Sequence, residues 1–117
     1  LGNIGWSYED ILPYFKKSEF KENGDKQTRG KKGPLFVSDV VEKHPICEEF
    51  IEGSKELGIN IQEDYNSGNQ EGIFYYQGTI KNGVRFSAYD AFLKTAIKRK
   101  NVDIQKNTMV LKIIFEG

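Results

Sequence analysis

His44 and Cys47, three residues apart, are the pair in this 117-residue sequence that first invites a chemical reading. An imidazole and a thiol at that spacing suit part of a metal site or a thiolate–imidazole nucleophile. Zinc takes three or four protein ligands, and the sequence holds one histidine and one cysteine. A Cys–His nucleophile also needs a third group to orient the imidazole. Cys47 falls on the apolar face of a helical pattern and is expected to be a small core residue. His44 is expected to start that helix.

Three other patterns fail on their own terms. Asp64-Tyr65-Asn66 opens like a calcium loop, but the sixth position is Asn69 rather than Gly and the twelfth is Tyr75 rather than Glu. It reads as a turn. None of the glycines form a G-x-G-x-x-G, and the Gly78–Gly83 gap is followed by Val84-Arg85, so neither phosphate-binding loop is present. The carboxylates are scattered, and no pair stands out for acid–base work. Tyr75 and Tyr76 fall on opposite faces of a strand; one could meet a ligand, although packing accounts for both. No catalytic residue and no metal ligand is assigned.

The elements that would carry these residues follow from pattern. Ser7 and Asp10 have capping-box spacing, and Pro13 argues for a turn through Leu12, then a helix over about 13–20. Trp6, Ile11, Leu12 and Phe15 supply its buried side. Residues 21–33 contain no apolar side chain, five basic and two acidic residues, and read as a solvated loop. No aromatic residue is interleaved, so a plain loop is favoured over a nucleic-acid contact. Residues 34–39 read as a strand through Leu35, Phe36 and Val37.

Pro45 suits the first position of a second helix. Ile46, Cys47, Phe50, Ile51, Ser54 and Leu57 recur on one face, and Gly58 is a natural stop. Residues 73–80 alternate as a strand, and Asn82-Gly83 is a tight-turn pair that returns Val84–Phe86 antiparallel. Ser87 and Asp90 cap a third helix reaching about Lys100, with Lys98, Arg99 and Lys100 where the helix dipole favours cations. Residues 102–105 and 110–115 read as strands, the second apolar enough to be buried on both faces. The class expected is mixed α+β, with helices packed on a mostly antiparallel sheet.

Composition limits the function classes. Apolar residues make up 38% and charged residues 29%, as in globular proteins. Seventeen basic and seventeen acidic side chains cancel, leaving no global field to draw nucleic acid or an anionic membrane. No apolar run approaches the roughly 20 residues that span a bilayer. A single cysteine excludes an internal disulfide and leaves the compartment open, with the cytoplasm favoured. The chain opens on Leu1 and its one methionine is Met109, so it is expected to be an internal piece, incomplete at both ends.

The run Gly5-Trp6-Ser7-Tyr8-Glu9-Asp10-Ile11-Leu12-Pro13-Tyr14-Phe15-Lys16-Lys17-Ser18-Glu19 resembles a segment of the glucose–methanol–choline (GMC) oxidoreductases, in the choline-dehydrogenase-like branch. The resemblance continues in order through Gly33-Pro34-Leu35, His44-Pro45, Asp64-Tyr65-Asn66, Gln70-Glu71-Gly72, Asn82-Gly83, Ala91-Phe92-Leu93 and Val110 to Gly117. It implies a two-domain FAD-binding fold in which residues 33–86 belong mainly to the substrate side and 101–117 rejoin the flavin side. It implies hydride removal from an alcohol CH–OH group to flavin, giving an aldehyde or ketone, with FAD as cofactor. The implied partners are a small-molecule alcohol and the remainder of the same chain, with no nucleic acid.

Val110 matches the family valine whose backbone reaches the adenine of FAD, although Leu111-Lys112 follows where Thr-Arg is usual. Val84, Phe86 and Thr95 stand where arginine, tryptophan and proline are common, which bears on pocket shape and substrate. The family's glycine-rich fingerprint and its His-His or His-Asn pair are not among these residues. The other reading is a free-standing, non-catalytic interaction domain that presents its aromatic strand or basic loop.

Overall fold

The computed structural model describes residues 2–115. The class is mixed α+β: short helices joined to small ladders, two antiparallel and one parallel. The expected sheet is therefore three separate two-stranded pieces.

Helix α1 runs Tyr8–Ser18 as one helix with Pro13 inside it. This corrects the expected break before Pro13. The box at Ser7 starts the helix early: Asp10 N–H donates to Ser7 Oγ at 3.3 Å and Ser7 N–H donates to Asp10 Oδ2 at 3.1 Å. Pro13 removes the bond that Glu9 C=O would accept, and because Glu9 lies exposed, that carbonyl is open to solvent rather than orphaned in a core.

Strand β1 (Glu19–Phe20) pairs in parallel with β2 (Leu35–Phe36). Strand β3 (Ser38–Asp39) pairs antiparallel with β4 (Gln77–Gly78), and β5 (Ile80–Lys81) with β6 (Val84–Arg85). The β5–β6 turn has Asn82 at φ 53° and Gly83 at φ 76°, the double positive φ that a two-residue hairpin favours. The expected strand over 73–80 is shorter. Ile73 makes a lone parallel bridge to Ile61, and regular pairing begins at Gln77.

Helix α2 spans Pro45–Glu56, and Gly58 beyond it has φ +76°. The third helical stretch is a π-helical turn, Tyr89–Leu93, followed by α3, Lys94–Ala96, so it stops short of Lys100. Its cap holds as expected: Ser87 N–H and Oγ–H both donate to Asp90 Oδ2, at 3.1 and 2.7 Å. Residues 102–105 and 110–115 form no ladder. A strand needs a neighbour's N–H and C=O groups, and among the described residues none lies beside them. The turn expected at Glu116-Gly117 lies outside the described residues.

Apolar burial is slight. Among the described residues no apolar side chain is fully buried; one half-buried cluster has ring centroids of Phe20 and Phe36 4.6 Å apart and of Phe36 and Phe86 5.6 Å apart. The chain exposes 10480 Å², against about 6,500 Å² for a compact monomer of its mass. Its radius of gyration is 18.9 Å, against about 13 Å for a compact domain of its length.

Candidate functional site

The most enclosed side chains are polar. Lys21, Arg29, Ser54 and Gln77 are buried, which corrects the reading of residues 21–33 as a solvated loop. That segment does lack apolar groups, but it turns Lys21 and Arg29 inward and leaves Lys26 and Lys32 exposed. Arg29 Nη1 donates to Glu19 Oε1 at 2.8 Å and Nη2 to Gln77 Oε1 at 2.5 Å. Arg29 Nε lies 3.0 Å from Asp64 Oδ2, an ion-pair approach out of line for a hydrogen bond. Lys21 Nζ donates to Asp39 Oδ1 at 2.6 Å, and Lys31 Nζ to Glu22 C=O at 2.6 Å. The guanidinium fork thus ties α1's C-terminal edge, β4 and the 64–67 turn to one point.

The glycines make room for this hub. A Cβ on Gly30 would lie 2.3 Å from the Glu19 and Lys16 carbonyl oxygens, and one on Gly33 would lie 2.2 Å from Ser18 C. Glu19 uses its second oxygen to accept from Gly30 N–H at 3.0 Å. The signal in the sequence was one arginine among lysines, flanked by glycines; its partners at 19, 64 and 77 were too distant in sequence to read.

The residues singled out by chemistry fall as follows. His44 starts α2, its Nδ1 accepting from Ile46 N–H at 3.3 Å. That bond occupies one ring nitrogen and gives no dyad with Cys47. Cys47 is exposed rather than a core residue, because the face of α2 that carries it lies along an open cleft, shared with Phe74, Tyr75 and Tyr76, rather than against a packed neighbour. Asp64 builds the expected turn, accepting from Asn66 N–H at 3.0 Å, and pairs with Arg29. Tyr65 stacks on Phe74 at 4.3 Å. Among the described residues no group of three or more His, Cys, Asp or Glu side chains is placed to hold a metal.

Tyr75 and Tyr76 do diverge. Tyr76 is exposed, while Tyr75 is half-buried under Lys43 Nζ, 4.0 Å from the ring centroid. Loss of water around the Tyr75 hydroxyl pushes its pKa up, and the charges of Glu48 and Cys47 push the same way.

Val110 lies in an exposed stretch without regular secondary structure, and its N–H and C=O have no backbone partner among the described residues. One open donor beside one open acceptor fits the edge of a purine, which offers the same two functions in reverse. That is the property a backbone contact to adenine requires.

The family described as GMC oxidoreductase matches residues 1–117. An oxygen-dependent choline dehydrogenase of Brucella anthropi is 42% identical over 116 residues, covering 99% of this chain and 21% of that protein. Its counterpart in Rhizobium meliloti is 41% identical over 117 residues, again 21% of its length. An FAD-dependent oxidoreductase from Chaetomium thermophilum superimposes with a TM-score of 0.80 at 29% identity, over 99% of this chain and 22% of that one. Pyridoxine 4-oxidase from Mesorbium loti gives 0.73 at 32% identity, over 82% and 19%. The chain thus spans about a fifth of the length of the curated relatives it matches. With the family matched from first residue to last, the chain belongs to the GMC oxidoreductases.

Proposed function

We propose that these residues work as part of a longer FAD-dependent oxidoreductase that takes hydride from an alcohol CH–OH group and yields an aldehyde or ketone, choline-dehydrogenase-like in its relationships. The observation that carries this reading is the 42% identity to an oxygen-dependent choline dehydrogenase across 99% of the chain. The excess surface supports it: about 4,000 Å² more than a compact monomer of this mass would expose. That same openness argues against a free-standing interaction domain, since ordering a chain costs about 1–2 kcal/mol per residue that burial has to offset.

Bound flavin supplies the hydride acceptor. The chain's own part is positional. The backbone of Val110 meets the adenine end of FAD, residues 101–117 belong to the flavin side, and residues 33–86 belong mainly to the substrate side. The Arg29 hub holds β4 and the 64–67 turn in place within that portion. None of the side chains in these residues is assigned to the alcohol proton.

The test is to purify the product of the complete reading frame that encodes these residues. The expected result is a yellow protein whose flavin spectrum bleaches anaerobically when choline or a related alcohol is added, with aldehyde formed in equal amount. A folded, colourless product inert to alcohols overturns the reading.

A further inference from the structure

We propose that Asn82 is a covalent modification site: its side chain closes on the backbone nitrogen of Gly83 and loses ammonia, leaving aspartate or isoaspartate at the tip of the β5–β6 hairpin. Asparagine is among the thermolabile side chains, and a following glycine has no Cβ to hinder ring closure. The sequence offers two such pairs, Asn23-Gly24 and Asn82-Gly83. The structure separates them. Asn82 and Gly83 are both exposed, and a Cβ on Gly83 would meet nothing within 4 Å. The Gly83 N–H has no backbone partner among the described residues. At the other pair Gly24 is buried, its N–H donates to Lys21 C=O at 3.3 Å, and a Cβ there would lie 2.6 Å from Arg29 Cβ. The attacking nitrogen is engaged at Gly24 and free at Gly83.

In the ring-closing step the Gly83 nitrogen gives up its proton and attacks Asn82 Cγ. A C–N bond forms, the bond from Cγ to the amide nitrogen breaks, and ammonia carries the proton away. Water then opens the cyclic imide at either carbonyl, and nothing is oxidised or reduced. The turn, with Asn82 at φ 53°, resists the rotation that ring closure needs. It is held shut by two residue pairs, Ile80↔Arg85 and Lys81↔Val84, and by Phe86 N–H donating to Thr79 C=O at 2.8 Å. So small a hairpin is marginal by itself, and its local opening releases the turn. Hydrolysis at the backbone carbonyl routes the chain through the former side chain and adds one backbone atom. A two-residue loop sets the register of its strands, so isoaspartate unpairs β5 from β6. Either product also adds a negative charge next to Lys81, whose Nζ lies 4.0 Å from the Phe36 ring centroid and 5.1 Å from that of Phe86. The change therefore reaches the half-buried aromatic cluster.

The test holds the full-length protein, folded, in warm and mildly alkaline buffer and samples it over days by peptide mass spectrometry. The expected result is replacement of NH by O in the peptide that carries Asn82, several-fold faster than in the peptide that carries Asn23. The rate should rise with pH, because the attacking nitrogen must lose a proton, and enzymatic methylation should detect isoaspartate. Hydrogen exchange at Val84 should be faster in the converted fraction than in fresh protein. An Asn82 that stays intact in the folded protein, over the time in which guanidinium-unfolded protein converts, shows that the turn protects it and overturns the proposal. Conversion at Asn23 as fast as at Asn82 overturns it too. Neither result touches the flavin reading, which is judged by colour and by bleaching with alcohol.

Discussion

Arg29 and Gln77, 48 residues apart in sequence, are joined by a 2.5 Å hydrogen bond from Nη2 to Oε1, the longest reach of any side-chain bond in the hub. The same guanidinium meets Glu19 and Asp64. One side chain thus brings together three segments that share no ladder. With no apolar side chain fully buried among the described residues, that polar point carries the job that packed side chains do elsewhere.

Arg29→Ala should therefore destabilise the protein by roughly 3–5 kcal/mol, because it leaves two largely buried carboxylates without their cation. Arg29→Lys should recover part of this, since an ammonium can reach one partner but lacks the fork to hold three. Urea unfolding of the full-length protein measures both. Equal stability of Arg29→Ala and wild type would show the hub to be incidental.

Gly33→Ala should be as severe for a different reason. Its φ needs no left-handed freedom; the difficulty is Ser18 C, 2.2 Å from the added carbon. That backbone cannot rotate aside, so the parallel β1–β2 pairing must open. Hydrogen exchange at Phe20 and Val37 reads the change, since Val37 N–H donates to Phe20 C=O at 2.9 Å. Faster exchange at Val37 than in wild type is the expected outcome.

How far the sequence spoke depended on the range of the interactions. Helix α2 was legible because its start, its apolar spacing and its stop all sit within Pro45 to Gly58. The Asn82-Gly83 hairpin was legible because turn chemistry is local. The Ser7 and Ser87 caps were legible too, although Pro13 was given too much weight against the first. Arg29 was not legible, because a run without apolar residues reads as solvated unless its distant partners are known. Residues 110–115 read as a doubly buried strand but form no strand and lie exposed, because pairing needs a neighbour that the described residues do not provide. Cys47 was misplaced for the same reason: an amphipathic pattern gives a face, not what covers it.

Asp90 gives a pH prediction with a definite sign. Hydrogen bonds from the Ser87 side chain and backbone lower its pKa below the ordinary 3.8, with Lys94 adding to the effect. A depressed carboxylate stabilises the fold above its ordinary pKa and loses that contribution as pH falls through the lower folded value. The 88–96 helical stretch should therefore hold its cap at pH 4 and shed it only under stronger acid. Ser87→Ala should move the Asp90 titration back up toward 3.8, read by NMR of the side-chain carboxyl. An unmoved titration would sink the assignment of cause.

Val110 supplies the prediction that separates a backbone contact from a side-chain one. The proposed role uses only its N–H and C=O, which are free of backbone partners among the described residues. Val110→Ala keeps both groups and should leave FAD affinity within about two-fold, since the side chain is 78% exposed and loses little packing. Val110→Pro removes the donor and should weaken FAD binding roughly tenfold, the equivalent of about 1.4 kcal/mol for one hydrogen bond. Flavin titration of the apoprotein measures all three, and thermal unfolding of each apoprotein shows whether the proline has disturbed the fold instead. If proline weakens flavin binding only in proportion to lost apoprotein stability, or if alanine weakens it equally, the contact is not made through the Val110 backbone.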